Sequence, residues 1–227
     1  MKRPRRRALF VACAFVALTA ATAGLPALFN PQFIENYFGV SPRRNQTPLE
    51  PRSATAAQIL AGAKAQIGTH YDASYQTISY PMGDVAASKG ACTDVVIRAL
   101  RAAGFDLQKR VHDDMMARFD AYPRTWGLDA PNSNIDHRRV PNQMVYFAKY
   151  GRELSRATTG ADLKSWQVGD IVYWNTGNAG NTRLHTGIVS DTRDWRGLPY
   201  VIHNGSICIE DDALDRWPII GHFRFPR

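Results

Sequence analysis

An α+β fold, with helices first and an antiparallel sheet after them, is what this chain predicts. Three observations carry that expectation. From residue 54 to about residue 151, apolar side chains recur at helical spacing. From Asp170 onward the chain changes to short β-branched and aromatic runs, "DIVYW", "TGIVSD", "YVIHNGSICIE" and "IIGHFRF", separated by turns. Its 227 residues contain no internal repeat and suffice for one domain with a sizeable core.

Residues 1–23 are expected to form a secretory signal peptide. "MKRPRRR" supplies the positive start, "ALFVACAFVALTAATAGLPALF" the uncharged apolar run, and Ala21-Thr22-Ala23 a small-x-small cleavage site. The alternative is an uncleaved membrane anchor, interrupted by Pro26. Either way the mature domain is expected outside the cytoplasm, periplasmic or secreted. Residues 24–53, with "SPRRNQTPLEPRS", are expected to be an exposed linker, and 54–227 the globular domain.

"TAAQILAGAKAQIG" sets Ile59, Leu60, Ala63 and Ile67 on one face, with Thr55 as the expected cap and Gly68 as the stop. "GACTDVVIRAL" sets Val96, Ala99, Leu100 and Ala103 on one face, ending at Gly104. "HDDMMARFDAY" predicts a short helix ended by Pro123, and "TWGLDAPNSNIDHRRVPN" a loop. "PNQMVYFAKYGREL" predicts a third amphipathic helix bearing Met144, Phe147 and Ala148.

The formal charge of +8 favours an anionic partner such as a wall polymer. No basic run interleaves with aromatic residues, and no zinc-finger or helix-turn-helix pattern is present, so nucleic-acid binding is set aside. No Cys/His zinc spacing occurs, and His112, Asp113 and Asp114 do not converge at helical spacing, so neither metal nor cofactor is expected.

The chemistry centres on Cys92. A helix N-terminus favours a thiolate and offers N–H groups to a developing oxyanion. The sequence leaves two rivals open: a buried core cysteine, and a Cys92–Cys208 disulfide, which an exported protein could form. His185 opens one strand and His203 ends the next, so two antiparallel strands can bring them side by side. His185 is then the candidate general base and His203 its orienter, with Asn204 competing for that second role.

These residues, in this order, resemble the NlpC-type cell-wall cysteine peptidases of the papain-like superfamily. The carriers are Ala91-Cys92-Thr93-Asp94, Val168-Gly169-Asp170-Ile171-Val172, Leu184-His185-Thr186-Gly187-Ile188 and Ile202-His203. The acid before the nucleophile and the glycine after it, usual in that family, are absent. A closer resemblance is to the family called domain of unknown function 1287, carried by "CTDVVIRA", "WGLDAPNSNIDHRRVPN", "GDIVYW", "HTGIVSD" and "IHNGS". It implies a papain-like fold with the nucleophile's helix packed on an antiparallel sheet. The NlpC-type resemblance also points to Tyr71, in Gly68-Thr69-His70-Tyr71, as a hydroxyl near the oxyanion, though the proline usual in that loop is absent. The implied activity is cleavage of an amide in peptidoglycan or a wall-linked peptide through a cysteine thioester. Acyl transfer and non-catalytic wall binding are the alternatives.

Two further groups are candidate substrate contacts. Asp94 can meet a substrate amine or simply match the helix dipole. Asp136, His137, Arg138 and Arg139 form a dense polar loop that could roof a cleft, with Arg138 or Arg139 pairing a substrate carboxylate. His222 is expected to have no catalytic role.

Overall fold

Ser53 starts the first helix. Its extended backbone lets the side chain accept from the Ala56 N–H, so it caps α1 (Ala54–Lys64) in place of Thr55. The computed structural model describes residues 44–45, 47–178 and 180–227, nearly all within one compact unit, Asn45–Arg227. The expected signal peptide and the linker up to residue 43 lie outside the described residues. The end of the expected linker is tied to the domain. The Leu49 N–H donates to Asp191 O at 2.7 Å, and Arg193 Nε donates to Thr47 O at 2.8 Å.

α1 ends three residues before Ile67, which is exposed rather than part of the apolar face. α2 (Cys92–Ala102) and α4 (Val140–Tyr150) follow their apolar spacing, and Gly104 takes a positive φ of 86° just past α2. α3 (Leu107–Arg118) begins five residues before the expected start, because Asp106 caps it by accepting from the Lys109 N–H. α4 stops at Gly151, where a Cβ would lie 2.8 Å from Phe147 O. The "GREL" segment therefore leaves the helix and supplies a short strand.

Short strands β1 (His70–Tyr71) and β2 (Lys89–Gly90) pair in parallel immediately before α2. Six further strands are β3 (Arg152–Glu153), β4 (Ile171–Asn175), β5 (Leu184–Asp194), β6 (Pro199–Asn204), β7 (Cys208–Asp211) and β8 (Ile219–Arg224). They form an antiparallel path in the order β3-β8-β4-β5-β6-β7. The expected α+β arrangement is thus what the chain adopts. "YVIHNGSICIE" forms the two strands of a hairpin, β6 and β7.

Side-chain alternation gives the sheet two buried faces. Tyr173, Ile188 and Ile202 face α1, α2 and α4, with Val96, Leu100 and Phe147. Val172, Trp174, Val189 and Val201 pack on the other face against Trp166, Leu198 and Leu214. α2 rests on β5 and β6, so its first residue is delivered to the sheet.

Candidate active site

Cys92 is the first residue of α2 and is 6% exposed. The start of the helix is fixed from behind. Asp94 Oδ2 accepts from the Ala91 N–H at 2.6 Å, half of a capping box whose other half an alanine cannot supply. Arg138 Nε and Nη2 each reach the Asp94 carboxylate at 2.9 Å, an ion pair almost fully buried on both sides. The same guanidinium donates to Ser74 O at 3.0 Å and Asp72 O at 3.3 Å. Thr93 Oγ1 donates to Arg138 O at 2.9 Å.

These bonds correct two sequence expectations. Asp94 and Arg138 face each other, not a substrate: every donor direction used by Arg138 ends on the protein itself. Their work is to join α2 to the loop that carries Tyr71. Asp136 and His137 of the expected roof are internal as well. Asp136 is 1% exposed and accepts from the Asn132 N–H and from Arg139 Nη1. His137 is 2% exposed, and burial, followed by the neighbouring Arg138 charge, pushes its pKa down to about 3. Arg139 lies over the Trp126 ring at 4.1 Å. A charged run reads as surface in sequence, and here the 3-10 turn Asp136–Arg138 folds it inward.

Asn204 is not an orienter of His185. Its Nδ2 donates to Gly90 O at 2.9 Å and Thr69 O at 3.2 Å. It clamps the residues before Cys92 to those before Tyr71. Tyr71 is held further by its N–H on Ser206 O at 2.9 Å. Its phenol is half-exposed and feels Cys92; burial raises its pKa and the Cys92 charge raises it further.

The two histidines come together as expected. His185 Nε2 and His203 Nδ1 are 2.9 Å apart, with the rings perpendicular. Register produces the meeting: His203 pairs with Gly187, two residues along β5 from His185. A Cβ on Gly187 would lie 2.6 Å from Val201 Cγ1 and 3.0 Å from His203 Cβ, so only glycine lets β6 bring His203 this close. Trp174, directly opposite His185 on β4, stacks beside it at 5.8 Å, and Trp217 meets both imidazoles edge-on at 6.0 and 6.1 Å. Burial in this aromatic surround pushes His185 down to about 3 and His203 down to about 4, so both are neutral at pH 7.

Cys92 approaches from the α2 face, while the histidines stand on the Trp174 face. The Thr186 backbone N–H, next in chain to His185, donates toward the sulfur. Burial pushes the Cys92 thiol up to about 11; the N–H groups of Thr186, Thr93 and Cys92 itself work against that rise. At pH 7 the thiol and both imidazoles therefore rest neutral. The disulfide rival does not form: Cys92 and Cys208 are both free and buried.

Sequence reasoning missed Trp174, Trp217, Asp211 and Arg216. Asp211 Oδ2 stands 4.0 Å from His203 Nε2 and accepts from Arg216 Nη1 at 2.6 Å. His112, Asp113 and Asp114 diverge. His112 packs edge-on to Tyr80, Asp113 pairs with Lys109, and Asp114 is bound by Arg118, Lys149, Tyr122 and Tyr150. His222 is fully buried between Asp170 and Ser155 O, stacked on Trp166.

The chain is similar to "Uncharacterized protein YijF" of Escherichia coli (strain K12), 43% identical over 188 residues, which is 82% of this chain and 89% of that one. Two crystal structures of an N-acetylmuramoyl-L-alanine amidase from Bacteroides uniformis ATCC 8492 show a looser likeness. Each is 13% identical, with TM-scores of 0.46 and 0.45, covering 77% and 76% of this chain and 100% and 99% of theirs. The motifs around Cys92, His185 and His203 all lie within residues 59–225, which match the family described as "Domain of unknown function (DUF1287)", and the chain belongs to that family.

Proposed function

We propose that this protein is an exported thiol hydrolase that cleaves an amide bond in bacterial peptidoglycan or a wall-linked peptide. The observation that carries the reading is the order along the chain brought into local register: Cys92 opens α2 against the Thr186 N–H, and the next residue back along β5, His185, is paired with His203. A helix-start sulfur sits beside the Thr186 N–H, and a 2.9 Å imidazole pair stands at the neighbouring residue. Such a nucleophile, base and orienter are what acyl transfer through a thioester requires.

The reaction runs from a neutral start. His185 Nε2 is engaged with His203, which leaves Nδ1 as the nitrogen to take the thiol proton. Catalytic hydrogen bonds often tighten only when substrate is bound. As the proton moves to His185, Sγ attacks the amide carbonyl carbon, and the carbonyl electron pair becomes an oxyanion. The Cys92 backbone N–H and the Tyr71 hydroxyl are the candidate donors to it. Collapse of this intermediate breaks the C–N bond, with the His185 proton going to the leaving amine. A water then gives its proton to His185 and its oxygen to the thioester carbonyl. A carboxylic acid leaves and the thiol is restored.

The basic charge of +8 and the leader-like N-terminus support an anionic, extracytoplasmic substrate. The test is digestion of purified peptidoglycan by the native domain, Cys92→Ala and His185→Ala, with released fragments identified by mass spectrometry. Fragments from the native protein alone would support the reading and identify the bond. Release that survives both substitutions would refute it. Peptide–amine conjugates in place of new carboxylates would turn the reading to acyl transfer.

A further inference from the structure

His203 has a buried nitrogen with nothing bonded to it. Its Nδ1 meets His185, and its Nε2 has no hydrogen-bond partner among the described residues. The groups that face it are few. His185 comes from β5, Asp211 from β7, and Arg216 from the segment before β8. The sheet sets the approach of Asp211. His203 pairs with Ile209 and Val201 with Asp211, so Asp211 is the diagonal neighbour of His203 on the same face. Its carboxylate is mostly buried and does not swing freely. Arg216 Nη1 fixes Oδ2 at 2.6 Å, while Arg216 Nη2 is held by Asp212 Oδ1 at 2.9 Å and the guanidinium lies over Trp217.

We infer that Asp211 is a positioning residue for this site: its Arg216-held carboxylate keeps the His203 proton on Nε2, so that Nδ1 must accept from His185 Nε2–H. A carboxylate attracts an N–H and repels a bare nitrogen lone pair at this range. With the His203 proton on Nε2, the 2.9 Å contact can be made in one sense only, His185 donating. The neutral His185 then carries its lone pair on Nδ1, the form that can take a thiol proton. The opposite tautomer of His203 would leave His185 protonated on Nδ1 and unable to act as base. The Asp211 charge raises the proton affinity of His203, against burial, which lowers it most, and against the Arg216 charge, which also lowers it.

This inference rests on the proposed hydrolase reading, but its structural half can be tested without activity. Nitrogen-15 NMR of the native protein, labelled at histidine, reads which nitrogen of each ring carries the proton. The expected result at pH 7 is His203 protonated on Nε2 and His185 on Nε2. A His203 protonated on Nδ1 overturns the inference, whether or not the protein cleaves anything. In Asp211→Asn, the His203 Nε2–H population is expected to fall. With substrate in hand, kcat is expected to drop about tenfold with KM unchanged, and the acid limb of the kcat/KM profile to move to lower pH. Asp211→Glu is expected to restore much of both. An Asp211→Asn protein that is folded, with native tautomers and an unshifted pH profile, also overturns it.

Discussion

Cys92 rests as a buried thiol, and its reactivity should reflect that. With the thiol pushed up to about 11, alkylation by iodoacetamide is expected to be slow at pH 5–7 and to climb continuously toward pH 10. A fast plateau at pH 5 would mean a preformed thiolate–imidazolium pair. Asn204 should show itself as a structural clamp. Asn204→Ala removes two buried bonds, to Gly90 O and Thr69 O, and is expected to lower unfolding stability by about 1–3 kcal/mol. Urea unfolding measures this. At this scale the sequence disclosed the residues with intrinsic chemistry, because a cysteine opening a helix and histidines at strand ends have a readable pattern. It did not disclose Asp211, whose meaning depends on a diagonal across a hairpin, or Trp174, whose meaning depends on being opposite His185. Polar residues were over-read: Arg138 and Asp94 lie 44 positions apart, and nothing local reveals that they neutralise each other in the interior.

Register and close approach matter more at the level of elements than length does. Gly187→Ala would drive a methyl into Val201 and His203, which are backbone-fixed neighbours on β6. The expected outcome is loss of the His185–His203 contact with the sheet retained. Histidine NMR shifts would change while far-ultraviolet circular dichroism would not. The α2 start and the Tyr71 loop share the Asp94–Arg138 pair. Removing one partner strands the other charge, so Arg138→Ala is expected to destabilise by roughly 3–5 kcal/mol, and the double substitution with Asp94→Ala by less than the sum of the singles. Were Arg138 a substrate contact, stability would hold and only KM would rise. Helices α2 and α4 were legible because their apolar spacing is strong. The start of α3 was not, since Leu107 and Gln108 are buried by tertiary packing while the capping Asp106 sits among turn-like residues. The two-residue strands β1, β2 and β3 are too short to give a period.

Across the whole molecule, three of the buried histidines have their pKa pushed down by burial, and they contribute to its acid sensitivity. His137, His185 and His203 are held at about 3, about 3 and about 4, all below the unfolded value. The unfolded chain takes up their protons first as pH falls, so their contribution is full above pH 6.5 and is lost progressively below it. Down to pH 5 the loss is about 2 kcal/mol per histidine. Urea unfolding at pH 7 and pH 5 is expected to show it, and His137→Gln, away from the thiol, is expected to flatten the slope. Below pH 4 the lowered carboxylates of Asp84, Asp191 and Asp211 add to the loss. The succession of helical spacing and then short β-branched runs made the α+β class legible, and the two buried faces follow from strand alternation. What composition could not convey is which face each histidine takes, since that depends on where β5 begins.

Cys92 is proposed to carry an acyl group during turnover. The direct measurement is acid quenching of the native protein with peptidoglycan fragments, followed by mass analysis of the peptide that contains Cys92. The expected result is a mass gain on Cys92 equal to an acyl fragment of the substrate, larger in His185→Ala supplied with the fragment as a thioester, and absent in Cys92→Ala. Products released at undiminished rate by Cys92→Ala, with no adduct on the native protein, would contradict it.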